Sequence, residues 1–138
     1  MLVRDTMTPN PITIGPQETM HGAMALMSLK RIRHLPVVDA KGTLIGMVTD
    51  RDLRRAAPSP LFPGAADAEA QMEQVSVERV MIRAPATVGP AQKLEDAVKL
   101  FVEKKFGALP VLDGARLVGI VTPIDVMRRW LQSPALRP

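Results

Sequence analysis

The chain has 138 residues, 46% of them hydrophobic, with 18 basic against 14 acidic residues and no cysteine; it fits one ordinary domain with a real core and excludes disulfides, thiolate catalysis and cysteine-based zinc sites. No apolar run reaches the roughly 18 residues of a membrane span, and the opening MLVRDTMTPNP lacks the charged-then-apolar order of a signal peptide, so a cytoplasmic protein with no membrane partner is expected. A formal net charge of +4 mildly favours anionic ligands, while 3% aromatic residues offer little for stacking on nucleic acid.

A proline-rich lead-in runs into a short extended segment, Ile12 to Ile14, which Gly15-Pro16 then breaks. A helix follows, with Met20, Ala23, Met24 and Met27 on one face. Two apolar runs come next, Leu35 to Val38 and Leu44 to Val48, joined by Asp39-Ala40-Lys41-Gly42-Thr43, a composition suited to a hairpin turn. Both runs are apolar on both faces, as in a covered sheet. A second helix follows Thr49. Pro58-Ser59-Pro60 cannot continue it. Residues 57–74 therefore read as an exposed linker or lid, with a short helix available between Ala65 and Gln74.

The same order then returns at an offset of 74 residues: Met7 matches Met81, Pro11 matches Pro85, and Leu35-Pro36-Val37 matches Leu109-Pro110-Val111. The second turn is one residue shorter, after which Gly46, Val48, Thr49 and Asp52 match Gly119, Val121, Thr122 and Asp125. In the second copy an extended Ala86 to Val88 precedes a helix whose Leu94, Ala97, Val98, Phe101 and Val102 recur with amphipathic spacing. Each half reads β-α-β-β-α. The expected organisation is one repeat over 1–56, the linker, a second repeat over 75–132 and a frayed tail over 133–138. The fold class is α/β (α+β), two like halves packed about a pseudo-twofold axis.

Two Thr-x-x-Asp motifs follow the last strand of each half. Their plain structural reading is a capping box, with Thr49 or Thr122 as N-cap and Asp52 or Asp125 three residues on; Pro123 suits the first helical position. A compatible functional reading gives the carboxylate a ribose diol and the threonine and free helix N–H groups a phosphate. Arg33-His34 is either a solvated basic turn complementing the preceding helix or a phosphate clamp, which arginine can make bidentate. His21 and His34 stand apart without ligand-spaced carboxylates, so no metal site is expected. No nucleophile elbow, phosphate loop or dinucleotide fingerprint is present, which argues against an enzyme. Trp130, beside Met127 and Leu131 on the last helix, fits a core or a dimer interface better than a ligand platform.

The repeats resemble cystathionine-β-synthase (CBS) domains, which occur as tandem pairs. The resemblance is carried by Val3-Arg4-Asp5-Thr6-Met7-Thr8, Arg33-His34-Leu35-Pro36-Val37-Val38-Asp39 and Gly46-Met47-Val48-Thr49-Asp50-Arg51-Asp52, and by their counterparts Val77-Glu78-Arg79-Val80-Met81, Gly107-Ala108-Leu109-Pro110-Val111-Leu112-Asp113 and Gly119-Ile120-Val121-Thr122-Pro123-Ile124-Asp125. It covers nearly the whole chain. It implies a regulatory module, a homodimer, that binds an adenine nucleotide or adenosyl compound in clefts between the repeats, with AMP, ADP, ATP or S-adenosylmethionine as candidate ligands. No cofactor is required, and the output falls on a separate, unidentified regulated protein. By family geometry the Asp of one repeat works with the other repeat. A first site then joins Thr122 and Asp125 with Ile12, Ile14, Ile32, Arg33 and His34. A second, weaker site joins Thr49 and Asp52 with Ala86, Val88, Phe106, Gly107 and Ala108, where no phosphate-binding charge stands before the Leu-Pro pair. The competing readings are a structural dimerisation module with degenerate ligand sites and, with least support, a nucleic-acid binder whose affinity falls steeply with salt.

Overall fold

The computed structural model describes residues 1–57 and 67–133. Half of the expected linker and nearly all of the expected frayed tail lie outside the described residues. In chain order the elements are β1 (Thr8–Pro9), α1 (Met20–Lys30), β2 (His34–Val38), β3 (Leu44–Thr49), α2 (Asp50–Ala56), α3 (Ala68–Met72), β4 (Ile82–Arg83), α4 (Leu94–Lys104), β5 (Leu109–Asp113), β6 (Arg116–Val121) and α5 (Pro123–Gln132). The chain forms two compact units, one of Ile12–Ala84 and one of Met1–Pro11 with Pro85–Pro138. They are called the first and second unit below.

The first unit is built on the β2–β3 hairpin, whose ladder runs from His34↔Thr49 to Val38↔Leu44. Its third strand is β4, antiparallel to β3, with Gly46 opposite Arg83 and Met47 opposite Ile82. The second unit repeats this with the β5–β6 hairpin, Leu109↔Val121 to Asp113↔Arg116. There β1 lies against β6, with Thr8 opposite Ile120 and Pro9 opposite Gly119. Each sheet is thus completed by the lead-in of the other repeat.

The lead-ins are anchored by burial and by backbone hydrogen bonds. Val3 and Val77 each begin a single 3-10 turn and are fully buried, one in each core. Val3 N–H donates to the Gln92 carbonyl at 2.9 Å, and Val77 N–H to the Glu18 carbonyl at 2.7 Å. The chain leaves one unit for the other just after Asn10 (φ 49°) and Ala84 (φ 46°), equivalent positions that both take the left-handed conformation. Asparagine tolerates that region, whereas alanine is strained in it.

Glycine is required where the lead-in crosses the hairpin. A Cβ on Gly46 would lie 2.5 Å from Met81 Sδ and 3.0 Å from the Ile82 carbonyl oxygen. One on Gly119 would meet Met7 Sδ at 2.5 Å and the Thr8 carbonyl at 3.0 Å. The glycine of each Gly-x-Val-Thr motif therefore serves strand approach.

The β-α-β-β-α order holds with its first strand contracted to one residue. Ile14 bridges Val37 in parallel and Val88 bridges Val111, each through two hydrogen bonds of 2.9–3.1 Å to the Leu-Pro strand. Helix α1 begins at Thr19, whose hydroxyl accepts from Gly22 N–H at 3.0 Å, and ends at Arg31 in the left-handed conformation. It buries Met20, Ala23 and Met27, but Met24 is exposed. Helix α4 buries Leu94 and Ala97, and Val102 is 72% exposed. At 100° per residue Val102 stands at the outer edge of the apolar stripe, in the last turn of the helix. The interval 57–74 is not exposed throughout: Met72 of α3 is 8% exposed and joins the core of the first unit, because α3 packs against α1.

Candidate functional site

Both Thr-x-x-Asp motifs form complete capping boxes. Asp52 N–H donates to Thr49 Oγ1 at 3.1 Å, and Thr49 N–H donates to Asp52 Oδ2 at 3.1 Å. In the second unit Asp125 N–H donates to Thr122 Oγ1 at 3.2 Å, and Thr122 N–H to Asp125 Oδ2 at 2.9 Å. The Thr122 hydroxyl lies a further 3.0 Å from Asp125 Oδ2. Every one of these carboxylate bonds falls on Oδ2, so the cap engages one oxygen of each aspartate. Both aspartates are half-buried. The structural and functional readings of the motif are therefore chemically compatible.

The first unit holds Ile12, Ile14, Ile32, Arg33, His34, Thr49 and Asp52; the second holds Ala86, Val88, Phe106, Gly107, Ala108, Thr122 and Asp125. Each expected residue set thus draws on both units. Within the first unit, Arg33 and His34 lie beside the cap of α2. His34 faces Thr49 across the ladder, and the Arg33 carbonyl accepts Asp50 N–H at 3.0 Å. Burial pushes the His34 imidazole below its ordinary pKa of 6.5; Asp50 pulls it back up, Arg33 adds to the depression, and Asp52 opposes it. Arg33 itself is exposed. It lines a cavity of about 390 Å³ between α1 and α2, with Arg31, Ile32, Asp50 and Arg54 on its walls and Met27 and Leu53 also lining it. Asp50 and Arg54 form an ion pair of 3.5 Å one helical turn apart.

In the second unit the matching position before β5 is Gly107-Ala108, with no charge. A polar cavity of about 190 Å³ stands beside the α5 cap instead, lined by Asp5, Thr6, Asp125, Arg128, Arg129 and Gln132. The reading of the sequence passed over Arg128 and Arg129. The available signal was the replacement of Ala56 in the first repeat by Arg129 in the second.

The apolar candidates divide. Ile14 and Val88 are 6% and 3% exposed and belong to the two cores, whereas Ile12 and Phe106 are 37% and 36% exposed. Trp130 is 42% exposed on α5, which buries no residue, so it is not a core residue. Among the described residues no group of three or more His, Asp or Glu side chains is placed to hold a metal ion, and no helix is long and apolar enough to cross a membrane.

Two three-stranded antiparallel sheets, each backed by helices and carrying a capped Thr-x-x-Asp at a helix start, define a tandem pair of small α/β modules. The CBS domain family model matches residues 3–59 and 77–131. A CBS domain-containing protein of Dictyostelium discoideum is 36% identical over 131 residues, covering 92% of this chain and 89% of the relative. The chain belongs to the CBS domain family. Among solved structures, CBSX2 of Arabidopsis thaliana in complex with AMP superposes with a TM-score of 0.79 at 34% identity, covering 95% of this chain and 96% of that one. The CBS domain pair of MJ0100, in complex with 5'-methylthioadenosine and S-adenosyl-L-methionine, gives a TM-score of 0.79 at 26% identity, covering 96% and 97%.

Proposed function

We propose that this chain is a regulatory module, not an enzyme, that binds an adenine nucleotide or adenosyl compound. AMP, ADP, ATP and S-adenosylmethionine are the candidate ligands. The observation that carries the reading is the pair of capping boxes in which each aspartate keeps its cap through Oδ2 alone, a geometry compatible with a ribose diol on Oδ1. The binding of AMP by CBSX2 and of two adenosyl compounds by MJ0100 supports it. In this reading Asp125 and Thr122 hold ribose, Arg33 and His34 receive phosphate charge, and Ile12 and Ile32 offer apolar contact. Thr49 and Asp52, with Phe106, Gly107 and Ala108, make the weaker assignment. Ligand binding shifts the population of conformations that an unidentified partner protein reads.

Thermal unfolding of the full chain with AMP, ADP, ATP, NAD or S-adenosylmethionine tests the reading. A ligand at 100 times its Kd stabilises by about 2.7 kcal/mol. The absence of a shift with all five at millimolar concentration rejects it.

A second reading, a structural dimerisation module with degenerate ligand sites, draws on α5. Ile124, Met127, Trp130 and Leu131 are 52%, 55%, 42% and 59% exposed on this one helix, and exposed apolar patches of this kind mark interfaces. A homodimer belongs to both readings. Sedimentation should show it, and Met127→Glu should shift it toward monomer. Asp125→Ala separates the two: a pure scaffold loses only the stability of a cap, whereas the regulatory module also loses its response to ligand.

A further inference from the structure

We infer that the second unit carries a phosphate-binding pocket of its own, built by Arg128 and Arg129 of α5 with Thr6 of the lead-in, one helical turn from Asp125. The inference rests on the proposed reading for the ribose at Asp125, but the pocket stands on separate observations.

The first observation is a donor without an acceptor. Arg129 Nε is buried and has no hydrogen-bond partner. Buried donors in native structures are almost always paired, so this one calls for an explanation. The second is that neither pocket arginine is ion-paired, although Asp5 and Asp125 line the same pocket. Asp5 Oδ2 accepts Leu2 N–H at 2.8 Å, and Asp125 Oδ2 is held by Thr122. Among the described residues the ion pairs are Arg54–Asp50 and Arg83–Glu78, so neither Arg128 nor Arg129 is in one.

The third observation is the shape and content of the pocket. Its volume of about 190 Å³ is well above the roughly 10–15 Å³ that admits one water, room for a phosphate or diphosphate. Residues three and four apart share a helix face, which puts both guanidinium stems on the side of Asp125. Arginine presents a planar fork of donors suited to phosphate oxygens, and the Thr6 hydroxyl adds a neutral donor.

The first unit lacks this arrangement. The residues matching Arg128, Arg129, Asp5 and Thr6 are Arg55, Ala56, Arg79 and Val80. There the arginine with its buried Nε and the hydroxyl are gone, and basic residues stand before the Leu-Pro strand as Arg33-His34. Each unit therefore has a positive locus near its cap, reached from opposite sides of the hairpin in sequence. The pocket's ligand is a phosphoryl group, either free diphosphate or the phosphates of a nucleotide whose ribose Asp125 holds, in which case Arg128 and Arg129 take the phosphate assigned above to Arg33 and His34.

Calorimetric titration of pyrophosphate, ADP and adenosine into the full chain tests this. Pyrophosphate and ADP should bind the unaltered protein. Arg129→Ala should weaken both by about tenfold or more while leaving adenosine unchanged. Arg129→Lys, which keeps the charge and loses the fork and Nε, should also weaken them; with Arg128→Ala it carries the test if Arg129→Ala no longer unfolds cooperatively. Lys99→Ala, on the exposed face of α4, controls for net charge. Pyrophosphate affinity within twofold of the unaltered protein in the arginine variants, or no pyrophosphate binding at all, overturns the pocket. ADP and adenosine binding that persists in that case leaves the nucleotide reading intact. Pyrophosphate binding that depends on Arg129, with no adenosine binding, leaves the pocket intact and removes the nucleotide reading.

Discussion

At the residue scale, the same few atoms hold the fold and offer the chemistry. Thr122 accepts Asp125 N–H and donates its own N–H to that carboxylate. Thr122→Ala removes the side-chain half of the box and should cost about 0.5–2 kcal/mol, read as a lower urea midpoint at unchanged slope. His34 gives a pH prediction. Its folded pKa lies below the unfolded value near 6.5 because burial disfavours the charged ring. The unfolded chain therefore takes up the proton first as pH falls. The stability associated with neutral His34 is full above 6.5 and is lost progressively as pH drops from there toward the lower folded value. His34→Asn should flatten the difference in urea midpoint between about pH 7.5 and about pH 5.5. An unchanged difference would place the titration elsewhere. The capping box and the basic pair were legible in sequence because each is local. The burial of Ile14 and Val88, which separates them from exposed Ile12 and Phe106, was not, since it depends on what packs above them.

At the element scale, each sheet takes a hairpin from one repeat and an edge strand from the lead-in of the other. The hairpins were readable: Leu35 to Val38 and Leu109 to Leu112 are apolar runs bounded by turn residues. The edge strands were not. Thr8–Pro9 and Ile82–Arg83 are two residues long, one of them contains proline, and no periodicity can be seen in two positions. Their close approach is what makes Gly46 and Gly119 necessary. Gly119→Ala should cost about 1–3 kcal/mol as an overpacked site, because Met7 and the Thr8 backbone must both move. Combining it with Met7→Ala should cost less than the sum of the two single changes. Additivity would mean that the strand and the glycine are not coupled.

At the scale of the whole molecule, the second unit is discontinuous in sequence and the first is not. Val3, the buried start of the chain, belongs to the core containing Leu109, Val111 and Val121 and not to the one containing Leu35, Val37 and Val48. Val3→Ala, which removes two buried methyl groups, should cost about 1.5–2 kcal/mol. Hydrogen exchange should quicken across β5 and β6 before β2 and β3, and Val77→Ala should do the reverse. If Val3→Ala exposes both hairpins alike, the lead-in does not belong to one unit in the way its burial indicates.

The amino-acid sequence by itself determined the repeat, the helix–hairpin–helix order of each half, the two capped helices and the family they resemble, because all of these rest on the character of neighbouring residues. Only the tertiary structure decided which lead-in completes which sheet: Thr8 pairs with Ile120, and Ile82 with Met47, through backbone hydrogen bonds that carry no side-chain signature. It also decided where charge stands around the caps. Arg33-His34 was visible as a basic pair, but the pocket of Arg128 and Arg129 exists only because folding brings Asp5 and Thr6, from the start of the chain, against its last helix.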